Sequence, residues 1–110
     1  MIFDVKLSEQ AERDLRNIYE YIAFELQSPE YADGQIDRIE KMILSLEEMP
    51  ERFKRYEKEP WYSRGGRIVP IDHYLLVYIP DLTAQQVTIL RVLYQRRNVE
   101  KELSLHESKR

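Results

Sequence analysis

The residues of this chain that could do chemistry are cations gathered in its second half. Residues 1–50 hold 5 Lys and Arg against 12 Asp and Glu, a net charge of −7, whereas residues 51–110 hold 12 against 8, a net of +4. Basic side chains flank and interrupt the strand-like stretch 87–97. This split predicts a surface that meets a polyanion or an acidic partner on one side. The structural alternative is a chance asymmetry in a chain that is 34% charged.

Arginines lead the candidates for catalysis and for binding a target. Because a planar guanidinium binds two phosphate oxygens at once, arginines on strands about 4.8 Å apart could converge on one or two phosphates. The catalytic candidates are Arg67, Arg91, Tyr94 and Arg96, and the candidates for contacting a nucleic acid or another target are Lys54, Arg55, Arg64, Arg97 and Trp61.

Several of these candidates have a structural alternative. Arg96 and Arg97 could be a solvated pair at a strand end, and Tyr94 could be partly buried packing. Arg91 shares its strand parity with Val87, Ile89 and Leu93, so it needs an anion on an otherwise apolar face. That anion is either a phosphate or a glutamate of the helices. Trp61 lies in a loop, where it either stacks on a target or forms a lid over the hydrophobic core of the strand hairpin.

One hypothesis for a site of this kind is that it cuts RNA without a metal ion. The ribose 2′-hydroxyl would lose a proton and attack the neighbouring phosphate, and the leaving 5′-oxygen would gain a proton. Arginines would stabilise the charge on the phosphoryl oxygens, and Tyr94 or His73 would have to move the protons. A tyrosine with a reference pKa of about 10 is a poor base, which weakens the nuclease hypothesis.

The remaining polar residues predict neither a metal site nor a bound cofactor. His73 and His106 lie far apart in the chain, and there is no cysteine, so neither a zinc cluster nor a disulfide framework is expected. The N-terminus lacks the apolar core of a signal peptide, and the longest apolar run, residues 75–79, is too short to span a bilayer. We therefore expect a cytoplasmic protein that makes no membrane contact.

Hydrophobic periodicity predicts two helices after a short N-terminal strand at residues 2–7. Ser8 can cap the first helix, and the Ser28-Pro29 pair can begin the second, which Pro50 ends. The two apolar stripes are Ala11, Leu15, Ile18, Ile22 and Leu26, and then Ala32, Ile36, Ile39, Ile43 and Leu46. Their short connection predicts an antiparallel helical hairpin.

Three strands, at residues 67–71, 73–79 and 86–95, follow an irregular stretch and form an antiparallel meander. Residues 99–105 fit a short closing helix. The fold class is therefore α+β, a two-layer β-α-α-β-β-β(-α) arrangement that forms one domain over residues 1–110. The antiparallel sheet has the N-terminal helical hairpin packed on one face.

Both faces of this sheet are predicted to be apolar. His73, Leu75, Val77 and Ile79 alternate with Tyr74, Leu76 and Tyr78, and Val87, Ile89 and Leu93 oppose Leu90, Val92 and Tyr94. Since two helices cover one face, we expect the other face to be closed by the chain's own C-terminus or left for a partner.

Taken together, these features resemble the RelE/ParE family of bacterial type II toxins. The resemblance is carried by residues 11–22, 39–50, 74–78 and 89–97, and their order and spacing match from about residue 3 to residue 103. The resemblance implies a growth-inhibiting toxin of the plasmid-stabilisation type, neutralised by a cognate antitoxin encoded beside it. The antitoxin's C-terminal segment would wrap the toxin's helices and sheet.

The resemblance leaves two activities open. RelE-like members cut ribosome-bound mRNA, whereas ParE-like members poison DNA gyrase. Leu75 stands where the nucleases often carry an arginine, and Tyr94 stands where a histidine is common, although Arg96 matches a catalytic arginine of the nucleases. We therefore favour the ParE-like action, with the mRNA endoribonuclease as the alternative and a non-toxic, partner-binding remnant as a further one.

Overall fold

The computed structural model of the chain describes residues 2–95 and confirms the predicted element order over that range. The elements are β1 (Asp4–Leu7), α1 (Glu9–Glu20), a π-helical turn (Tyr21–Glu25), α2 (Pro29–Ser45), a 3₁₀ turn (Pro50–Arg52), β2 (Arg67–Ile71), β3 (Tyr74–Asp81) and β4 (Gln86–Tyr94). The predicted closing helix at 99–105 lies outside the described residues.

The four strands form one mixed sheet in the order β1-β4-β3-β2. β2, β3 and β4 form the predicted antiparallel meander. β1 pairs in parallel with the first half of β4, from Asp4 opposite Gln86 to Leu7 opposite Ile89, a placement that sequence analysis did not predict. Because β1 ends beside Ile89, α1 begins next to the middle of β4.

Ser8 fixes the start of α1 in two ways. Its Oγ accepts a hydrogen bond from the Ala11 amide at 3.0 Å, which satisfies one of the free donors of the first turn. The same hydroxyl donates to the Leu90 carbonyl at 2.8 Å. The predicted helix cap is thus confirmed, and it also ties α1 to β4.

The predicted apolar stripe of the first helix is wrong at its end. The α-helix gives way to the π-helical turn at Tyr21. A π-helical turn contains more residues than an α-helical turn, so it shifts the later side chains around the axis. Ile22 remains buried, but Leu26 is 53% exposed.

The main hydrophobic core lies between the sheet and the helical hairpin. Its fully buried side chains include Ile39 of α2, Leu46 directly after α2, and Leu76, Tyr78, Val87 and Ile89 of the sheet. The Tyr78 hydroxyl donates to the Pro50 carbonyl at 2.7 Å, and burial raises the pKa of this phenol to about 12. The core therefore also anchors the segment that leaves α2.

A β-bulge in β4 changes which side chains face the helices. Val77 pairs with Arg91 while Tyr78 pairs with Ile89, so Leu90 is an extra residue. Val92 consequently joins Val87 and Ile89 on the helix side, with Tyr94 packed against the same cluster. The prediction that Val92 and Tyr94 oppose Val87 and Ile89 is wrong, because strict alternation does not survive an inserted residue.

The outer face of the sheet is covered by the segment that connects α2 to β2. Trp61, which is 3% exposed, and Tyr56 pack against Val77 and Leu90. The expectation that the C-terminus or a partner closes this face is wrong for this part of the sheet, since a connecting loop supplied the cover. Of the two roles considered for Trp61, the structure therefore shows the structural one, in which the ring covers the hydrophobic core of the strand hairpin.

Replacing Trp61 with alanine should lower the free energy of unfolding by about 3–5 kcal/mol, because a large buried ring would leave a cavity on the outer face. Urea denaturation measures the change. As a control, Leu82→Ala alters a 53% exposed residue in the β3–β4 turn and should stay within about 0.5 kcal/mol of the unmodified protein. A Trp61 variant as stable as this control would show that the ring does not close the outer face.

Candidate functional site

Arg91 is bound by a carboxylate of α1. Its Nε donates to Asp14 Oδ2 at 2.8 Å and its Nη2 donates to Asp14 Oδ1 at 2.9 Å. The amide of Val92 donates to Asp14 Oδ2 at 2.9 Å. The two side chains are 10% and 11% exposed. The anion that Arg91 needs is therefore an internal carboxylate, supplied by an aspartate where sequence analysis named a glutamate.

Asp14 is a residue that sequence reasoning missed. It lies three positions after Ala11 and four before Ile18, so it falls at the edge of the apolar stripe of α1. A carboxylate at such a position is costly to bury without a cationic partner. This cost could have predicted the ion pair from the sequence, because a carboxylate at this position requires a cation such as an arginine on the strand packed against α1.

Arg67 lies at the far edge of the sheet, opposite Tyr78. Its Nη1 donates to the Phe53 carbonyl at 2.7 Å, and its Nη2 is 3.6 Å from Glu51 Oε2. Its buried Nε has no hydrogen-bond partner within residues 2–95. Arg67 therefore holds the chain just after the 3₁₀ turn against β2.

The loop cations contact aromatic rings and carboxylates of their own segment. The Arg55 guanidinium lies 4.0 Å from the ring centroid of Tyr62 and donates to the Tyr62 carbonyl. The Arg64 guanidinium lies 4.8 Å from the Trp61 ring. Lys54 Nζ is 3.5 Å from Glu57, and both side chains are exposed, so this pair adds little stability.

Among residues 2–95, the structure does not bring the candidate cations to one phosphate-sized site. Arg91 points to α1 and Arg67 contacts the segment after α2. Arg55 and Arg64 stack on rings of the loop, and Lys54 lies near Glu57. Arg96 and Arg97 lie outside the described residues. The arginines were predicted to converge because adjacent strands lie close together. That prediction is wrong for the described arginines, because each guanidinium extends toward a partner in a different element.

Tyr94 lies at one end of a groove of about 570 Å³ between α1 and the last residues of β4. Its ring meets that of Tyr74 edge to face, with the centroids 5.7 Å apart. Burial raises the pKa of Tyr74, and the neighbouring Tyr31, Tyr94 and Tyr21 raise it further. These shifts keep the Tyr74 phenol protonated, so it is not a base near neutral pH.

A second polar cluster fixes the β2–β3 turn. Asp72 has a left-handed backbone with φ of 53°, and its Oδ2 accepts from Arg38 Nε at 2.8 Å and from Gln35 Nε2 at 2.9 Å. These hydrogen bonds lower the pKa of Asp72. The stability they contribute is present above the unfolded-state pKa and is lost as pH falls through the lowered folded-state value.

Other kinds of site are not formed by this part of the chain. Within residues 2–95, no three His, Asp or Glu side chains come together as a metal site would require. No helix in that range is long and apolar enough to cross a membrane. His73 is exposed at the β2–β3 turn, whereas Arg67 lies opposite Tyr78, near the middle of β3.

Comparison with known proteins identifies a related family. The chain matches, over residues 5–99, the family model described as the ParE toxin of the type II toxin–antitoxin system parDE. No curated protein sequence matches the chain. Its fold is similar to that in the chromosomal ParDE toxin–antitoxin system from P. aeruginosa, with a TM-score of 0.71 and 18% identity over 84% of this chain and 96% of that chain.

Two further solved structures share the fold. The toxin–antitoxin complex RelBE2 from Mycobacterium tuberculosis has a TM-score of 0.64 and 21% identity, over 88% of this chain and 95% of that chain. A mutant of the E. coli toxin RelE in the free state has a TM-score of 0.64 and 14% identity, over 97% of this chain and 98% of that one. At these identities the likeness establishes the fold.

Replacing Arg91 with alanine should lower the free energy of unfolding by about 3–5 kcal/mol, because it leaves the buried Asp14 carboxylate without its cation. The double variant Asp14→Ala with Arg91→Ala should be more stable than the Arg91 variant, since it removes the uncompensated charge. Urea denaturation of the set measures both effects. If the Arg91→Ala variant were as stable as the unmodified protein, the Arg91–Asp14 pair would have no structural role, and Arg91 would again be a candidate catalytic residue.

Proposed function

The chain belongs to the ParE toxin family of type II toxin–antitoxin systems, and from that premise we propose that it arrests bacterial growth by binding DNA gyrase and blocking DNA synthesis in the cytoplasm. It is the toxin of such a module and has the fold that the RelE and ParE structures share. The proposal concerns the mode of inhibition, where two actions are open to this fold.

The observation that carries the proposal is the internal use of Arg91. A nuclease of the metal-independent type needs arginines on the phosphoryl oxygens and a proton-transfer group within hydrogen-bond reach of the ribose hydroxyl. Here Asp14 binds the Arg91 guanidinium, and Tyr94 packs against Tyr74. Between residues 2 and 95, the structure places no acid–base pair beside a group of arginines, which favours a binding inhibitor.

Leu75 supports the same choice. It is half-buried on β3, between Pro70 of β2 and Leu93 of β4. A leucine side chain has neither a charge nor a hydrogen-bond donor for a phosphate. The arginine that the nucleases often carry at this position therefore has no counterpart at residue 75.

A cognate antitoxin is the proposed partner. The similar structures include a ParDE toxin–antitoxin system and RelBE complexes. This chain exposes large apolar side chains near the connection between its helices, among them Tyr21, Phe24, Leu26 and Tyr31. Exposed apolar residues grouped in this way are typical of a protein-binding surface.

The proposed target contacts are candidate cations of the chain's second half. Arg96 and Arg97 follow Gln95 in the sequence, and Lys54, Arg55 and Arg64 lie in the segment before β2. Lys54 and Arg64 are exposed, whereas Arg55 is half-buried. Cations at a surface raise the rate at which an acidic or polyanionic target is met. Arg96 is the leading candidate because it matches a site position in both branches of the resemblance.

Expression of the chain in bacteria should block incorporation of labelled thymidine within one generation, before incorporation of labelled methionine falls. This order follows from inhibition of gyrase rather than of translation. Pulse labelling after induction measures it, and co-expression of the neighbouring reading frame should restore both rates. Early loss of methionine incorporation, with codon-specific cuts in ribosome-bound mRNA by primer extension, would establish the RelE-like nuclease instead.

Arg96→Ala should abolish growth arrest while leaving the free energy of unfolding within about 0.5 kcal/mol of the unmodified protein, because a target contact is lost without loss of packing. Growth curves and urea denaturation measure the two properties. Lys109→Ala is the matched control, since it removes one cation near the C-terminus, and it should stay toxic. A fully toxic Arg96 variant would remove this residue from the proposed site.

A further inference from the structure

The turn between β2 and β3 has a backbone conformation that favours glycine, yet an aspartate occupies it. β2 ends at Ile71 and β3 begins at Tyr74, so Asp72 and His73 form a two-residue connection. Asp72 has a φ of 53°, in the left-handed region where glycine meets no steric cost and an aspartate does. The aspartate at this position therefore indicates that its carboxylate makes contacts that the protein uses.

Two side chains of α2 bind this carboxylate. Asp72 Oδ2 accepts from Arg38 Nε at 2.8 Å and from Gln35 Nε2 at 2.9 Å. Arg38 Nη2 also donates to Gln35 Oε1 at 3.5 Å. Because Gln35 is 1% exposed, its amide needs partners inside the protein. The turn is therefore held at a fixed place against α2.

Gln95 binds the backbone of the same turn. Its own amide donates to the His73 carbonyl at 2.9 Å. Its side-chain Nε2 donates to the Asp72 carbonyl at 3.2 Å and to the Tyr74 carbonyl at 3.0 Å. A single residue thus donates to three consecutive carbonyls, directly after β4 ends at Tyr94.

These contacts form one connected path from α2 to the residue before Arg96. Gln35 and Arg38 hold the Asp72 carboxylate, and the carbonyls of the turn hold Gln95. Arg96 is the next residue in the sequence. Because the peptide bond is planar, the backbone of Gln95 sets the direction in which the chain continues. The path therefore constrains the point from which Arg96 extends.

A cavity of about 310 Å³ lies beside the same turn. It is lined by Asp72, His73, Tyr94 and Gln95, which belong to the turn and to the end of β4. A group of the target that entered this cavity would lie next to the residue that precedes Arg96. The contacts that fix the turn therefore also fix the shape of the cavity.

We propose that Asp72 and Gln95 are positioning residues for Arg96. Together with Gln35 and Arg38 they fix the point at which the chain leaves the sheet, so that the Arg96 guanidinium is held in place before the target arrives. Preorganisation of this kind strengthens binding, because less conformational freedom is lost on association. The inference rests on the proposed role of Arg96 as a target contact, and it adds the residues that hold that contact in place.

Two substitutions at Asp72 test the proposal. Asp72→Gly suits the positive φ of the turn but removes the carboxylate, whereas Asp72→Asn tolerates the same φ and keeps an oxygen acceptor for Arg38 and Gln35. In a supercoiling assay with purified gyrase, half-inhibition should need about tenfold more of the glycine variant than of the unmodified chain. The asparagine variant should retain most of the inhibition. A glycine variant as inhibitory as the unmodified chain would overturn the proposal.

A substitution at the other end of the path and a matched control complete the set. Gln95→Glu replaces the Nε2 donor with an oxygen, so it loses the hydrogen bonds to the Asp72 and Tyr74 carbonyls and should weaken inhibition by a similar factor. Asp37→Asn removes an exposed carboxylate of α2 that lies 3.0 Å from Lys41, and it should inhibit like the unmodified chain. Urea denaturation checks that each variant is folded. Undiminished inhibition by a folded Gln95→Glu variant would contradict the positioning role.

Spin labelling measures the positioning itself, independently of the target. Because the chain has no cysteine, Arg96→Cys provides a single labelling site in the full chain. The electron paramagnetic resonance spectrum of that label should show faster motion when Asp72→Gly is added, whereas a label introduced through Lys109→Cys should be unaffected. An unchanged spectrum at position 96 would show that the turn supports only the sheet, and the proposal would fail.

The outcomes also distinguish this inference from the proposed function. If the unmodified chain inhibits gyrase but the label at position 96 does not respond to Asp72→Gly, the positioning role alone is overturned. If the label responds but the unmodified chain does not inhibit gyrase, the proposed target is overturned and the positioning of residue 96 stands. Weaker inhibition by Asp72→Gly together with faster motion of the label would support both.

Discussion

The rest of this structure depends on the ion pair and hydrogen bonds that the Asp14 carboxylate forms with β4. This carboxylate accepts hydrogen bonds from both Nε and Nη2 of Arg91 and from the Val92 amide, so a single side chain of α1 holds β4 just beyond the point where β1 ends. The contacts coincide with the bulge in β4 and with the change of facing that brings Val92 and Tyr94 to the helix side. Because both charged groups are buried and bound to each other, removing either one would leave the other charge unpaired in an apolar environment. The groove between α1 and the end of β4 lies next to this contact.

The cations of the second half also hold the fold together. Arg52 donates to the carbonyls of Ser45, Glu48 and Met49 at distances of 2.7 to 3.3 Å, which closes the carboxyl end of α2, where helix carbonyls lack internal partners. Its guanidinium also lies 4.5 Å from the Phe53 ring. An arginine can do both because its fork carries five donors and its flat face stacks on rings. In this chain of 110 residues, the same arginines therefore provide both surface charge and structural contacts.

The toxin presents chemically different surfaces on its two layers. The helical layer is acidic and exposes apolar residues near the hairpin tip, whereas residues 53–66 and residues 96–110 each carry a net positive charge. The acidic, apolar surface suits an antitoxin segment that carries cations, and the basic residues suit a different, negatively charged target.

The sequence by itself determined the elements and the family of this protein, because apolar periodicity, helix caps and turn residues act over a few positions. The burial of Ala32, Ile39 and Ile43 on α2, the cap at Ser8 and the bounds of β2 are local properties, and each was predicted correctly. The tertiary structure alone decided the parallel placement of β1, the bulge at Leu90, the cover provided by Trp61 and the pairing of Arg91 with Asp14. Asp14 and Arg91 are 77 positions apart, and no periodic pattern connects residues at that distance. Whether an arginine contacts a phosphate or an internal carboxylate is decided by which element packs against it, and that is a property of the assembled layers.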